Sequence, residues 1–255
     1  MTAETYLLSR CNYNWPYIGF VFFSTLVLYD FPSLFFARHA FSENESERHK
    51  WIIEHKRTLA AASVTGLAGT ATTLFFFPLK FIFSFAPVTI IAFAYFFPQT
   101  HLRSIAGLKA AVVTVVWTSV TCYYPLLIQS DFKMLHAFGE GKDILLLQNF
   151  LFIFPLSIIF NVRDIETDEK AGVKTIPVLF GARNTVIICI CCLFLFATVV
   201  MCYWGISRHG LALTASAIIS LLFILRASPA RADYYYSLWL DGMILLQAGM
   251  VYVMH

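Results

Sequence analysis

Residues 178–204 read VLFGARNTVIICICCLFLFATVVMCYW, a run whose single charge, Arg183, lies near its start. A helix needs about 20 consecutive apolar residues to cross a bilayer, and this run has them. Seven more runs follow the same pattern, at approximately 16–37, 57–77, 80–97, 106–129, 143–162, 209–226 and 235–254. They are uninterrupted and lack the period-two alternation of transmembrane barrel strands, so the backbone must satisfy itself within helices. The expectation is an all-α integral membrane protein: one transmembrane helical domain over residues 1–255, with about eight transmembrane helices.

Composition agrees. Charged residues make up 13% of the chain, against about 25% in a soluble domain, which excludes an ordinary cytosolic enzyme. The expected partner is the lipid bilayer, with no nucleic acid. Cys11, Cys122, Cys189, Cys191, Cys192 and Cys202 form no CxxC pair, so they read as small helix residues without a disulfide framework. The first apolar run starts near Trp15 and lacks a basic leader or a small-residue cleavage site, so no cleavable signal peptide is expected.

Lysine and arginine in the loops orient such a chain. With the N-terminus outside, thirteen of them fall in inner loops and five in outer ones. The charge-rich loops 38–57 and 163–177 then face the cytoplasm, and the inner membrane of a bacterium is the expected location.

The second of those loops belongs to the stretch NVRDIETDEKAGVKTIPVLFG, residues 161–181. If the preceding helix continues past Phe160, Asn161, Asp164 and Asp168 fall at i, i+3 and i+7 on one face. Two carboxylates four residues apart repel each other unless a cation lies between them. Mg²⁺ prefers hard oxygen ligands and takes one or two carboxylates together with phosphate oxygens. Gly172 is a plausible helix stop, and Lys174 with Thr175 supplies a cation and a hydroxyl suited to diphosphate. A solvated helix end built from Arg163, Glu166, Glu169 and Lys170 would use the same charges without any ligand. Asn161 and Asp164 sit near the lipid boundary, where unpaired polar groups are costly and tend to be functional.

The extended pattern, from Asn161 through Asp164, Asp168, Gly172, Lys174, Thr175 and Pro177 to Gly181, resembles the second Asp-rich motif of UbiA-type intramembrane prenyltransferases. RDIETDEKAG is especially similar to the dihydroxynaphthoate and geranylgeranylglycerol-phosphate branches. The resemblance implies a UbiA-like helical bundle around a central cavity open to the cytoplasmic side. It implies transfer of a polyprenyl group from a polyprenyl diphosphate to a small-molecule acceptor, aromatic or lipid, in quinone or isoprenoid-lipid biosynthesis. Asp164 and Asp168 would be the catalytic metal ligands, with Mg²⁺ as cofactor. Arg163 and Lys174 would hold diphosphate, and Asn161 would orient a ligand.

The family's first motif is of the Asn-Asp-x-x-x-Asp type. Its equivalent here, LYDFPSLFFARHAFSENESERHKW at 28–51, keeps only Asp30, with Tyr29 in place of Asn and Ser33 and Leu34 where the later acid belongs. Asp30 is the expected third metal ligand. Glu43, Glu45 and Glu47 come too late for the same face and read as a solvated run. Asp241, in the last apolar run, is a candidate substrate-binding acid; a polar partner on a neighbouring helix is the alternative for it and for Asp30. Arg103 and Lys109 lie where similar families place diphosphate-binding cations, although inner-loop charge bias alone would also put them there. His101, His136 and His209 read as isolated.

The family pattern has nine spans, so eight spans with the N-terminus outside match it without its first helix. MTAETYLLSRCNYN reads as too short and polar to supply that helix. Two other functions stay open: a non-catalytic UbiA-like protein that binds isoprenoid lipid, and a cation- or proton-coupled transporter using Asp30 and Asp241. The missing internal repeat counts against the transporter.

Overall fold

The structure, a computed structural model, describes residues 1–36, 54–96, 107–133, 139 and 141–255. Arg103, His101, His136, Glu43, Glu45 and Glu47 lie outside the described residues. Among those described there is no strand. The helices are α1 (Thr2–Leu8), α2 (Trp15–Phe36), α3 (Lys56–Leu74), α4 (Leu79–Phe96), α5 (Leu108–Gln129), α6 (Lys142–Arg163), α7 (Ile165–Lys170), α8 (Ile176–Trp204), α9 (Arg208–Ile224) and α10 (Tyr235–Met254). The eight longer ones coincide with the eight apolar runs. Four of them, α5, α6, α8 and α10, are long and apolar enough to cross a membrane by length and composition.

The chain divides into two compact units, Asn14–Pro87 and Met1–Tyr13 with Val88–His255. In the first, α2 packs closely on α3 because α3 is rich in small residues. A Cβ added at Gly66 would lie 3.0 Å from the Phe23 carbonyl, and one at Gly69 would sit 2.3 Å from the Phe23 ring. Such small residues let helices approach where lipid gives no hydrophobic drive. Tyr17, Phe20, Phe77, Phe81 and Phe85 complete this unit as an aromatic cluster, with Phe77 and Phe81 stacked at 4.3 Å.

In the second unit α6 packs against α5 and α8, α8 against α9, and α9 against α10. The apolar core runs through Phe152, Ile158, Ile159, Cys189, Phe196, Leu213, Ile224 and Tyr236. All six cysteines are free.

The N-terminal stretch, read as too short and polar for a spanning helix, forms a short helix that packs against the bundle. Residues 2–8 form α1, which docks against α10 and α5 with Glu4, Thr5 and Tyr6 buried. The Thr5 hydroxyl and Glu4 Oε1 find partners on neighbouring helices, while Glu4 Oε2 and the Tyr6 hydroxyl have no hydrogen-bond partner among the described residues. Pro125 in α5 has no N–H for the carbonyl of Thr121, four residues earlier, and α5 turns π-helical over Ser119–Tyr123. The Thr5 hydroxyl donates to that freed carbonyl at 2.8 Å. Gln247 Nε2 of α10 donates to Glu4 Oε1 at 2.8 Å, and the Ser216 hydroxyl of α9 donates to Gln247 Oε1 at 3.2 Å. Burial pushes the Glu4 carboxyl above its usual pKa.

Candidate active site

The charged cluster forms where the end of α6 and the short α7 meet the starts of α5 and α10. Asp164 sits between α6 and α7 with φ −93° and ψ 9°. This corrects the expectation of one unbroken helical face through Asn161, Asp164 and Asp168. The Asp168 N–H still donates to the Asp164 carbonyl at 2.7 Å, so the two carboxylates stay one turn apart. Asn161 is buried, and its Nδ2 turns back to donate to the Ser157 carbonyl at 3.3 Å.

The loop after α7 is fixed by its backbone. Gly172 takes φ +69°, its N–H donates to the Glu169 carbonyl at 3.0 Å, and the Val173 N–H donates to the Asp168 carbonyl at 2.8 Å. This is a Schellman C-cap, which needs a left-handed residue at that point. The loop is then tied to α5: the Gly107 N–H donates to the Lys174 carbonyl at 3.2 Å.

That tie carries Lys109, in the first turn of α5, to the carboxylates. Its Nζ lies 3.0 Å from Asp168 Oδ2, 3.3 Å from Oδ1 and 3.8 Å from Asp164 Oδ2. Arg163 grips Asp164 in two-pronged fashion, Nε to Oδ1 at 2.7 Å and Nη2 to Oδ2 at 3.3 Å. Its Nε also faces Asp233 Oδ1 at 3.7 Å. The guanidinium lies 5.8 Å above the Tyr236 ring, whose hydroxyl donates to the Ser228 carbonyl at 2.8 Å. Two acids thus meet two bases in a partly covered setting, the Asp168 side chain 12% exposed and Asp164 31%.

Of the residues the sequence pointed to, Asp164, Asp168, Arg163 and Lys109 come together here. Asp241 is exposed at the start of the α-helical part of α10, in the electrostatic range of Arg163. Lys174 takes part through its backbone carbonyl, with an exposed side chain. Thr175 is buried, and its hydroxyl finds no hydrogen-bond partner among the described residues. Asp30 belongs to the unit of residues 14–87 and is half-buried there. His209 pairs with His255, Nε2 to Nδ1 at 3.2 Å, rather than standing alone. Asp233 and Tyr236 were missed; the signal available was the spacing of Asp233 and Tyr236 in DYYYSLWLD, three residues apart on one helical face. Among the described residues no cluster of three or more His, Cys, Asp or Glu side chains forms.

An all-helical membrane chain bearing a carboxylate pair bracketed by lysine and arginine defines a class of integral membrane proteins with a charged site at the helix ends. The chain belongs to the UbiA prenyltransferase family, whose profile matches residues 52–239. It is also similar to a protein of Humulus lupulus named 2-acyl-4-prenylphloroglucinol 6-prenyltransferase, chloroplastic, with 34% identity over 97 residues. That match spans 33% of this chain and 24% of the hop protein. No solved structure gives a significant match.

Proposed function

We propose that this chain is a Mg²⁺-dependent prenyltransferase, moving a polyprenyl group from a polyprenyl diphosphate to an aromatic or lipid acceptor in quinone or isoprenoid-lipid synthesis. The observation that carries the reading is that one side-chain cation, Lys109, already reaches both Asp164 and Asp168. Family membership and the name of the hop relative support the prenyl class of the substrate.

The donor set fits a magnesium ion: two carboxylates in reach of one point charge, the number that Mg²⁺ takes beside phosphate oxygens. Bound there, Mg²⁺ supplies charge neutralisation for the departing diphosphate. Asp164 and Asp168 would hold the cation. Arg163 offers a planar fork that suits phosphoryl oxygens, while Lys109 and Lys174 offer point charges. Asn161 is proposed to orient a ligand and Asp241 to bind substrate. The apolar helices around the site keep water from an allylic cation. In this reading all eight long helices span the bilayer, with the site on the cytoplasmic face of a bacterial inner membrane.

The test uses the full chain in lipid nanodiscs with radiolabelled prenyl diphosphates and a membrane-lipid extract as acceptor. Labelled product that appears with Mg²⁺ and vanishes with a chelator supports the reading. Prenyl diphosphate that binds but yields no product supports instead a non-catalytic isoprenoid-binding protein.

A further inference from the structure

We infer that Lys109 is the resident counter-ion of the carboxylate pair and acts as a latch, so that a divalent cation enters the site together with diphosphate and poorly without it. The inference rests on the prenyl-diphosphate reading above and adds an order of binding to it.

The geometry is specific. Lys109 Nζ holds both oxygens of Asp168, at 3.0 and 3.3 Å, and reaches Asp164 at 3.8 Å. Arg163 takes both oxygens of Asp164, at 2.7 and 3.3 Å. Each carboxylate is therefore already answered by one positive side chain. A divalent ion bound to carboxylate oxygens needs about 2.0–2.1 Å contacts, and an ammonium held on the same oxygens opposes it by like-charge repulsion. Lys109 must leave Asp168 for such an ion to enter.

Leaving has a cost that depends on where Lys109 can go. Its backbone is held: the start of α5 is fastened to the Lys174 carbonyl through Gly107, whose φ of +71° sets the entry into the helix. Only the side chain moves, and its four-carbon stem keeps the ammonium near the pair. With no anion present, the displaced ammonium lies close to the incoming cation without a partner. With diphosphate present, the same small movement gives it a phosphoryl oxygen. Diphosphate therefore lowers the opposition of Lys109 to the metal, and by linkage the metal strengthens diphosphate binding by the same factor.

Arg163 does not play this part. Its guanidinium holds Asp164 with two prongs and rests over the Tyr236 ring, so it has reason to stay when Asp164 gains another partner.

The experiment is Mn²⁺ binding to the full chain in nanodiscs, followed by electron paramagnetic resonance, with and without inorganic diphosphate. Wild type is compared with Lys109→Met and Lys109→Arg. Expected are weak Mn²⁺ binding by wild type alone, tightening about tenfold or more with diphosphate, since the metal then no longer strands the ammonium. Lys109→Met is expected to bind Mn²⁺ alone about tenfold more tightly than wild type and to lose most of the diphosphate effect. Lys109→Arg is expected to stay close to wild type. Equal Mn²⁺ affinity in wild type and Lys109→Met overturns the latch, and so does the absence of Mn²⁺ binding in both.

A second readout on unaltered protein covers the case in which Lys109→Met does not fold. Amine-reactive labelling of Lys109, read by mass spectrometry, is expected to rise with Mg²⁺ alone at high concentration and to fall when diphosphate is added. Labelling indifferent to both overturns the latch. Product formation is a separate measurement: no prenyl product together with the Mn²⁺ pattern above removes the transferase reading and leaves the latch, while product without that pattern removes the latch alone.

Discussion

Lys109 Nζ and Asp168 Oδ2 lie 3.0 Å apart although 59 residues separate them in the chain. The contact depends on a backbone hydrogen bond between Gly107 and Lys174 and on the C-cap at Gly172. The carboxylate pair, its cations and the loop that fixes them thus form one unit, and substitutions in it have graded effects.

Arg163 is the strongest of the positive side chains by geometry, with a two-pronged hold on Asp164. Arg163→Ala is expected to lower prenyl-transfer kcat about a hundredfold, the scale of losing one preorganised electrostatic contact. Arg163→Lys keeps the charge but loses the fork and is expected to recover only part of that loss. Steady-state kinetics on the two variants checks the ranking; equal activities would remove the role of the fork.

Asp233 contacts the same arginine, but at 3.7 Å and with its side chain 58% exposed. Exposed pairs of this kind contribute little. Asp233→Asn is expected to change activity by less than about threefold. A loss as large as that of Arg163→Ala would make Asp233 a principal positioning residue.

Glycine positions separate conformational strain from collision. At Gly172 an added Cβ meets nothing within 4 Å, but φ is +69°, so Gly172→Ala is expected to cost about 1–2 kcal/mol. At Gly210 an added Cβ would lie 2.2 Å from the Gly205 carbonyl oxygen, a backbone atom that cannot swing aside. Gly210→Ala is expected to destabilise more, about 1–3 kcal/mol or beyond. Thermal unfolding in detergent orders the two.

The buried N-terminal helix makes a paired prediction. Thr5→Val leaves the Thr121 carbonyl without its donor, a loss of about 1–3 kcal/mol. Adding Pro125→Ala restores an N–H at the position that normally serves that carbonyl, and the double variant is expected to regain part of the stability. Likewise Glu4→Gln, a neutral side chain of the same shape, is expected to be tolerated better than Gln247→Leu, which strips a buried carboxyl of its donor. If the double variant is no more stable than Thr5→Val, the exchange between hydroxyl and proline is wrong.

The long helices were legible because lipid requires runs of about 20 apolar residues, and those runs are interrupted only by charge or turn residues. The carboxylate pair and its glycine stop were legible because both are local, set by spacing within residues 161–175. The docking of α1 was hidden: TAETYLLS looks unfit for burial until Thr121 and Gln247 supply its partners from α5 and α10. The helix break at Asp164 was hidden because apolar periodicity does not register a one-residue interruption. Asp233 and Tyr236 were overshadowed by Asp241, because their three-residue spacing takes on meaning where Arg163 extends to both.

Asp164 and Asp168 carry the central claim, and the double substitution Asp164→Asn, Asp168→Asn tests it with shape kept and charge removed. With Mg²⁺ and labelled prenyl diphosphate, product formation is expected to fall by about a thousandfold, the upper range for losing transition-state electrostatics, in protein that still elutes and unfolds like wild type. Product at the wild-type rate from that variant would contradict the assignment of the site.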